Sequence, residues 1–330
     1  MMNPASQYHE KRFTMHFSIC RFKFACLFTA LLSAAVLVER PVCGQDPAKQ
    51  DSEQCFLWKV SSKTTTVYLL GSMHVAKADF FPLPKEVEDA FAKSKILVVE
   101  LNTEELDQAK LQGLLLKKGI YPPGETLSKK LSKKTMDLLR QYCAKKKLKV
   151  ETLEPLRPWL VNLTVTVKEI QDLGLTDAGI DKHFLKKAKA ENKTTRELET
   201  LEGQVELFAG LTPELQEKLL AKTLAESGEL KGMLEKMVTA WKAGDPKAME
   251  EIILSAKHHP ETKALMEKVF DERNVKMVEK IDGYLKGSDS CFVVVGAGHL
   301  VGEKGIVKLL QDKKYQVEQV KRASVKKNAL

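Results

Sequence analysis

The sequence predicts an α/β protein: a mixed, mostly parallel central sheet flanked by helices, with a large helix-rich insertion between the N- and C-terminal halves of the sheet. Three observations carry this. Ile96–Val99 and Phe292–Val295 are continuous apolar runs, the pattern of strands covered on both faces in the middle of an α/β sheet. The strand-like runs are joined by helical segments long enough for strand–helix–strand crossovers. From about Glu104 to Leu285 most of the chain reads as helix, broken at Tyr121–Gly124, Glu154–Pro158, Gly210–Pro213, Gly244–Pro246 and His258–Pro260.

Taken in order, Phe56–Val60 and Val67–Leu70 read as strands joined through the polar, Ser/Thr-rich turn Ser61–Thr66. Leu83, Val87, Ala90 and Phe91 recur at i, i+4, i+7 and i+8, so a helix with one apolar face leads to the strand Ile96–Val99. Thr194–Leu198 is a marginal strand. A helix over Glu261–Leu285 carries Val269, Arg273, Met277, Ile281 and Leu285 in one stripe. Gly302–Asp312 joins Phe292–Val295 to Tyr315–Val320, where Val alternates with Gln or Glu as on a half-exposed edge strand. The sheet is therefore expected from the two ends of the chain.

The chain has 330 residues, 43% hydrophobic and 29% charged, which excludes disorder for most of it and suffices for one large domain or two small ones. Arg21 and Lys23 precede an apolar run, Ala25–Val38, interrupted only by Thr29 and Ser33. A bilayer span needs about 20 apolar residues, so this run suits the core of a signal peptide. Cleavage after Gly44 places Val42 and Gly44 at the small-residue positions. Residues 1–44 are thus expected to be a signal peptide, with Met15 a second plausible start, and 45–330 a single exported domain, periplasmic or secreted. A lipoprotein at Cys43 is disfavoured because Val42 is not the small residue a lipobox requires; Glu39 and Arg40 argue against an uncleaved anchor. No stable membrane span is expected after cleavage.

Processing leaves Cys55, Cys143 and Cys291, which allow at most one disulfide. Cys55 and Cys291 each precede a strand-like run, which would suit neighbours at one end of a sheet; buried free thiols are the other reading. The net charge is +9. Its lysine runs, Lys129–Lys134, Lys145–Lys149 and Lys186–Lys189, lie in helical stretches without interleaved aromatics. They read as solvated helix faces, and nucleic acid is not expected as a partner.

The chemistry lies where the central strands end. Val67–Leu70 runs into Gly71-Ser72-Met73-His74, Ile96–Val99 into Glu100, and Phe292–Val295 into Gly296-Ala297-Gly298-His299. Open α/β sheets bind ligands at the carboxyl ends of their strands, and glycines there permit close backbone approach. As parallel neighbours, these strands would converge His74, Glu100 and His299. Two histidines and a carboxylate suit a catalytic divalent metal with an open position, which would acidify a bound water. The same trio works without metal, one histidine acting as general base and Glu100 orienting it. One Gly-x-x-His alone is equally a turn with a core histidine. Arg273 sits in an apolar stripe, where a charge is costly unless paired. Glu100, Glu199 or an anionic substrate group would pair it; the competing reading is snorkelling to solvent. Glu199 and Glu202 are site partners or ordinary first-turn acids. His258 and His259 read as a loop pair, His183 as surface or packing, and Trp58, Trp159 and Trp241 as core anchors.

Leu57-Trp58-Lys59-Val60, Gly71–His74, Val99-Glu100-Leu101 and Val295–Gly302 together resemble the TraB/PrgY/GumN family. So do Leu156–Trp159, Gly179-Ile180-Asp181 with Phe184-Leu185, Leu198-Glu199-Thr200 with Glu202 and Gln204, Trp241–Asp245 and Glu272-Arg273-Asn274. The resemblance spans about Phe56 to Val320, with no departure at the two histidines or Glu100. It implies a fold like that of the erythromycin esterase and haem-binding ChaN relatives. Tiki proteins, animal members of the wider group, are metal-dependent proteases using two Gly-x-x-His motifs and a glutamate. By that resemblance His74, Glu100 and His299 are metal ligands or catalytic groups for Mn, Co or Zn. Arg273 joins them in the site, and Gly71, Gly296, Glu199 and Asn274 support it. PrgY and TraB are linked to blocking a peptide pheromone, which needs capture and not cleavage. The expected function is a metal-dependent hydrolase of a peptide or related amide or ester. Sequestration of a peptide or small molecule, or haem binding through a histidine, are the alternatives.

Overall fold

Six strands form one sheet in the order β4-β3-β5-β2-β1-β6. They are β1 Gln54–Ser61, β2 Thr66–Ser72, β3 Ile96–Val99, β4 Thr194–Glu197, β5 Cys291–Gly296 and β6 Gln316–Lys321. The structure, a computed structural model, describes residues 53–75, 80–176, 178–254 and 260–323. β4, β3, β5 and β2 run parallel to one another, and β1 runs antiparallel to both β2 and β6. The mixed, mostly parallel sheet expected from the apolar runs is therefore present, and β6 is the half-exposed edge. One expectation needs correction: the sheet is not built from the chain ends alone. β4 comes from the middle of the helix-rich insertion and pairs with β3 from Ile96↔Thr194 to Val99↔Glu197. Its largely exposed Thr-Thr-Arg-Glu sequence carries no apolar run because it has a neighbour on one side only.

The helices are α1 Lys85–Lys93, α2 Gln108–Gly119, α3 Leu127–Lys130, α4 Lys133–Lys146, α5 Pro158–Asp172, α6 Ile180–Ala190, α7 Leu201–Ala209, α8 Pro213–Ala225, α9 Leu230–Lys242, α10 Pro246–Leu254, α11 Pro260–Met266, α12 Glu272–Lys286 and α13 Ile306–Asp312. Local chemistry sets their starts. Asp107, Ser132, Thr200 and Thr212 each accept a backbone N–H three residues on, satisfying one of the orphan donors of a first turn. Pro158 and Pro213 occupy first helical positions, where a missing N–H costs nothing. The stretch read as one helix over Glu261–Leu285 is interrupted by a π-helical turn, Glu267–Asp271, between α11 and α12. The apolar stripe continues through it: Val269, Arg273, Met277, Ile281 and Leu285 are all buried.

The core lies where α1 and α6 cover one face of the sheet. Phe91 of α1, Phe184 of α6 and Phe292 of β5 pack in tilted and edge-on pairs with centroids 4.8 to 5.6 Å apart, and all three are fully buried. Trp58, Trp159 and Trp241 are buried core anchors. His183 is half-buried, packed on Phe81 and Phe184, with Nε2 3.0 Å from Glu88. Cys55, Cys143 and Cys291 are buried free thiols. Cys55 and Cys291 are not neighbours. Cys291 is level with Val67 at the start of β2, whereas Leu57 of antiparallel β1 is level with Leu70 near its end. The reversal of β1 thus puts the two thiols at opposite ends of the sheet. The expected signal peptide and the pair His258 and His259 lie outside the described residues. Among those described, no helix is long and apolar enough to cross a membrane.

Phe292→Ala should cost about 3–5 kcal/mol, read as a lowered urea midpoint at unchanged slope. A loss below about 1 kcal/mol would show that this aromatic triplet does not hold the helices to the sheet.

Candidate functional site

The register of the parallel strands assembles the site. Ser72 of β2 is level with Gly296 of β5, and Val99 of β3 with Val294 of β5. The two Gly-x-x-His turns and Glu100 therefore leave the sheet side by side at its carboxyl end. The β3–β4 ladder continues one step further, Glu199 N donating to Glu100 O at 2.9 Å, which sets Glu199 beside Glu100. Gly296 has to be glycine: its backbone N–H donates to Glu100 Oε1 at 2.6 Å, and a Cβ there would sit 2.9 Å from His74 Nε2. At Gly71 a Cβ would lie 2.5 Å from the Phe56 ring, and its carbonyl accepts Trp241 Nε1 at 2.6 Å.

Arg273 occupies the centre. Its Nε donates to Glu199 Oε1 at 2.7 Å, Nη2 to Glu199 Oε2 at 2.5 Å and to Glu100 Oε2 at 2.7 Å, and Nη1 to Val269 O at 3.1 Å and His299 Nε2 at 2.9 Å. It is 4% exposed, so snorkelling is excluded and pairing with both expected carboxylates is the answer to its burial. His299 donates from Nδ1 to Asn274 Oδ1 at 2.5 Å, and Asn274 Nδ2 donates to Lys304 O at 2.8 Å. Both nitrogens of His299 are thereby committed. His74 differs. Its Nδ1 donates to Asp181 Oδ1 at 3.1 Å, and Ser72 Oγ donates to the same oxygen at 2.7 Å. Its Nε2 makes no hydrogen bond among the described residues and faces Glu100 Oε1 at 4.0 Å. His299 Nε2 lies 3.8 Å from that same oxygen.

The model of the TraB/PrgY/gumN family matches residues 56–319, a span that includes every residue of this cluster. The chain belongs to the TraB/PrgY/gumN family. Its relatives include the uncharacterized protein YbaP of Escherichia coli (strain K12) and of Shigella flexneri, each 26% identical over 74% of this chain and 87% of the relative. An uncharacterized protein of Treponema pallidum (strain Nichols) is 22% identical over 73% of each chain. No solved structure matches.

This family member brings together all the expected site residues: His74, Glu100, His299, Arg273, Glu199, Asn274 and both motif glycines. Glu202 is not among them; it is half-exposed and pairs with Lys110 at 2.5 Å. Ser72, Asp181 and Gln204, whose Nε2 donates to Glu199 Oε2 at 3.0 Å, were not foreseen. Asp181 opens a helix, where an acid is ordinary; only the match at Gly179-Ile180-Asp181 hinted at more. The expected metal set is less well met. No group of three or more His, Cys, Asp or Glu able to hold a metal occurs among the described residues. The physical reason is Arg273: it donates to the lone pair of His299 Nε2 and to Glu100, whose other oxygen is taken by Gly296 N. In this arrangement the trio does not fit a resident divalent cation, because a guanidinium fills that role. Cavities lined by described residues lie near the strand ends that bear the cluster. One of about 460 Å³ follows the carboxyl ends of β3 and β4, lined by Leu101, Asn102, Lys110, Arg196, Glu197 and Thr200 among others. One of about 310 Å³ lies beside Met73 and Val75.

Environment pushes the two histidines apart. Burial would lower His74, but the Asp181 carboxylate, with Glu100 behind it, outweighs burial and holds His74 above its ordinary value. Burial, then Arg273, then His74 drive His299 well below it. Burial opposes the charge of Glu199, yet Arg273 and Gln204 keep its carboxyl below the usual range. An unfolded histidine titrates near about 6.5. As pH falls toward that value, folded His74 binds its proton first, so stability rises. Below it, unfolded His299 takes a proton that the folded state refuses, so stability falls. The melting temperature should therefore peak near that pH. His74→Asn should flatten the alkaline limb and His299→Asn the acidic one; a parent profile indifferent to both would refute the assignment.

Proposed function

We propose that this protein is an exported hydrolase of a peptide amide, or a related amide or ester, working by acid–base chemistry at His74 and Glu100. One observation carries the reading: His74 is anchored at Nδ1 by Asp181 while its Nε2, making no hydrogen bond among the described residues, faces the Glu100 carboxylate. An imidazole oriented through one nitrogen is equipped to take a proton from attacking water at the other and return it to the departing nitrogen or oxygen. Glu100 stabilises the imidazolium formed between those transfers. Arg273 is a positioning residue, since all its donors are spent on Glu100, Glu199, His299 and Val269. The groove at the ends of β3 and β4 begins one residue beyond Glu100 and Glu199, and its polar lining suits an extended peptide. The resemblance to the Tiki metalloproteases supports the same reaction class.

The second reading is a hydrolase that depends on Mn, Co or Zn held by His74, Glu100 and His299. It is favoured by the approach of both Nε2 atoms to Glu100 Oε1 within 4.0 Å, and it requires Arg273 to release both His299 and Glu100. The family's link to pheromone blocking supports capture without turnover as a further outcome.

Quenched fluorescent peptides and nitrophenyl esters should be turned over by the parent, and His74→Asn should lower the rate by about 10²–10⁴-fold. Turnover persisting in chelator, with less than one metal per chain, supports the acid–base reading. Turnover abolished by chelator and restored by one Mn, Co or Zn supports the second. Saturable peptide binding without product refutes both. Export rests on the apolar run Ala25–Val38; the intact mass of protein recovered from the cell envelope should begin at Gln45, and a mass retaining residues 1–44 would refute cleavage there.

A further inference from the structure

The cavity beside Met73 and Val75 lies apart from the chemistry described above. Met73 and Val75 line it, while the side chain of His74 between them turns to Asp181 and Glu100. Phe80, Leu173 and Leu175 complete its apolar wall with Leu234 and Val238 of α9. Its volume is about 310 Å³, about twice that of an apolar protein cavity known to admit benzene. The pocket opens to solvent along α9, and its size is at the low end of that usual for a small-ligand site. Leu234 and Val238, one turn apart on α9, are left half-buried by it.

The mouth carries charge of a particular kind. Lys231, Glu235, Thr239 and Lys242 stand along α9 at the rim. Glu235 is answered by Lys231 at 3.9 Å. Lys242 makes no ion pair among the described residues; its Nζ stands 5.6 Å over the ring of Phe80, which is itself part of the wall. The pocket thus pairs an apolar wall with a cation, Lys242, that no ion pair among the described residues compensates. A peptide in it would leave backbone N–H and C=O groups facing Leu, Val, Met and Phe side chains, at a cost of several kcal/mol without hydrogen bonds (roughly 2–7 each). A hydrocarbon chain has no such groups, and a terminal anion would meet Lys242. We infer that this cavity binds a free carboxylic acid with a single short saturated chain, its carboxylate at Lys242 and its chain against Met73 and Val75.

Calorimetric titration of the full chain with decanoate and with decanol tests this. Decanoate should bind saturably at one site per chain. Val238→Trp, which fills the cavity, should abolish binding. Lys242→Glu changes an exposed residue and leaves the core intact; it should weaken decanoate by about fivefold and leave decanol unchanged. No saturable decanoate binding by the parent, or binding by a folded Val238→Trp protein equal to the parent's, would overturn the site. Equal binding of decanol and decanoate, both indifferent to Lys242→Glu, would overturn the anionic end of the ligand.

Discussion

A single buried guanidinium organises this protein. Removing Arg273 from water is tolerable only because two carboxylates, an imidazole and a carbonyl receive its donors. Three of those acceptors, Glu100, Glu199 and His299, come from separated parts of the chain, so the charge can be satisfied only when the ends of β3 and β4 and the turn after β5 are all in place around Arg273. Buried ion pairs of this kind are weak evidence for stability, since desolvation offsets much of the Coulombic gain. Their effect is on geometry: each partner is held because releasing it would leave a buried charge unpaired.

The sheet supplies the frame on which that network is strung. Parallel pairing of β2, β5 and β3 brings three strand ends to one level, and the glycines that follow let the histidine-bearing turns approach the carboxylate closely. The helix stripe from Val269 to Leu285 delivers Arg273 from above, and α6 delivers Asp181 to His74. The result separates two chemically identical side chains. His299 is tied at both nitrogens and kept neutral by its surroundings, whereas His74 keeps one nitrogen directed at Glu100. That asymmetry, and not the presence of two histidines, is what distinguishes the two imidazoles.

The cavity beside Met73 and Val75 adds a consequence for the same turn. Alternation along the segment after β2 sends His74 to one side and its neighbours to the other, so the wall of an apolar pocket and a polar cluster share one stretch of backbone.

Much of this was legible in the amino-acid order. Continuous apolar runs marked the buried strands, period-four spacing marked the helices, and a charge in an apolar stripe announced that Arg273 must find anions. The motif residues at the strand ends were sufficient to name His74, Glu100 and His299. Other features are decided by pairing across long sequence distances, which no local pattern encodes. The four polar residues of β4 become a strand only because β3 has an open edge. The antiparallel course of β1 separates Cys55 from Cys291. Ser72 and Asp181 are ordinary turn and first-turn residues until the packing of α6 places them on His74. Whether the trio opens toward a metal or closes on an arginine was likewise undetermined by the sequence, which specifies donors but not where their lone pairs point; that depends on the tertiary contacts of Arg273.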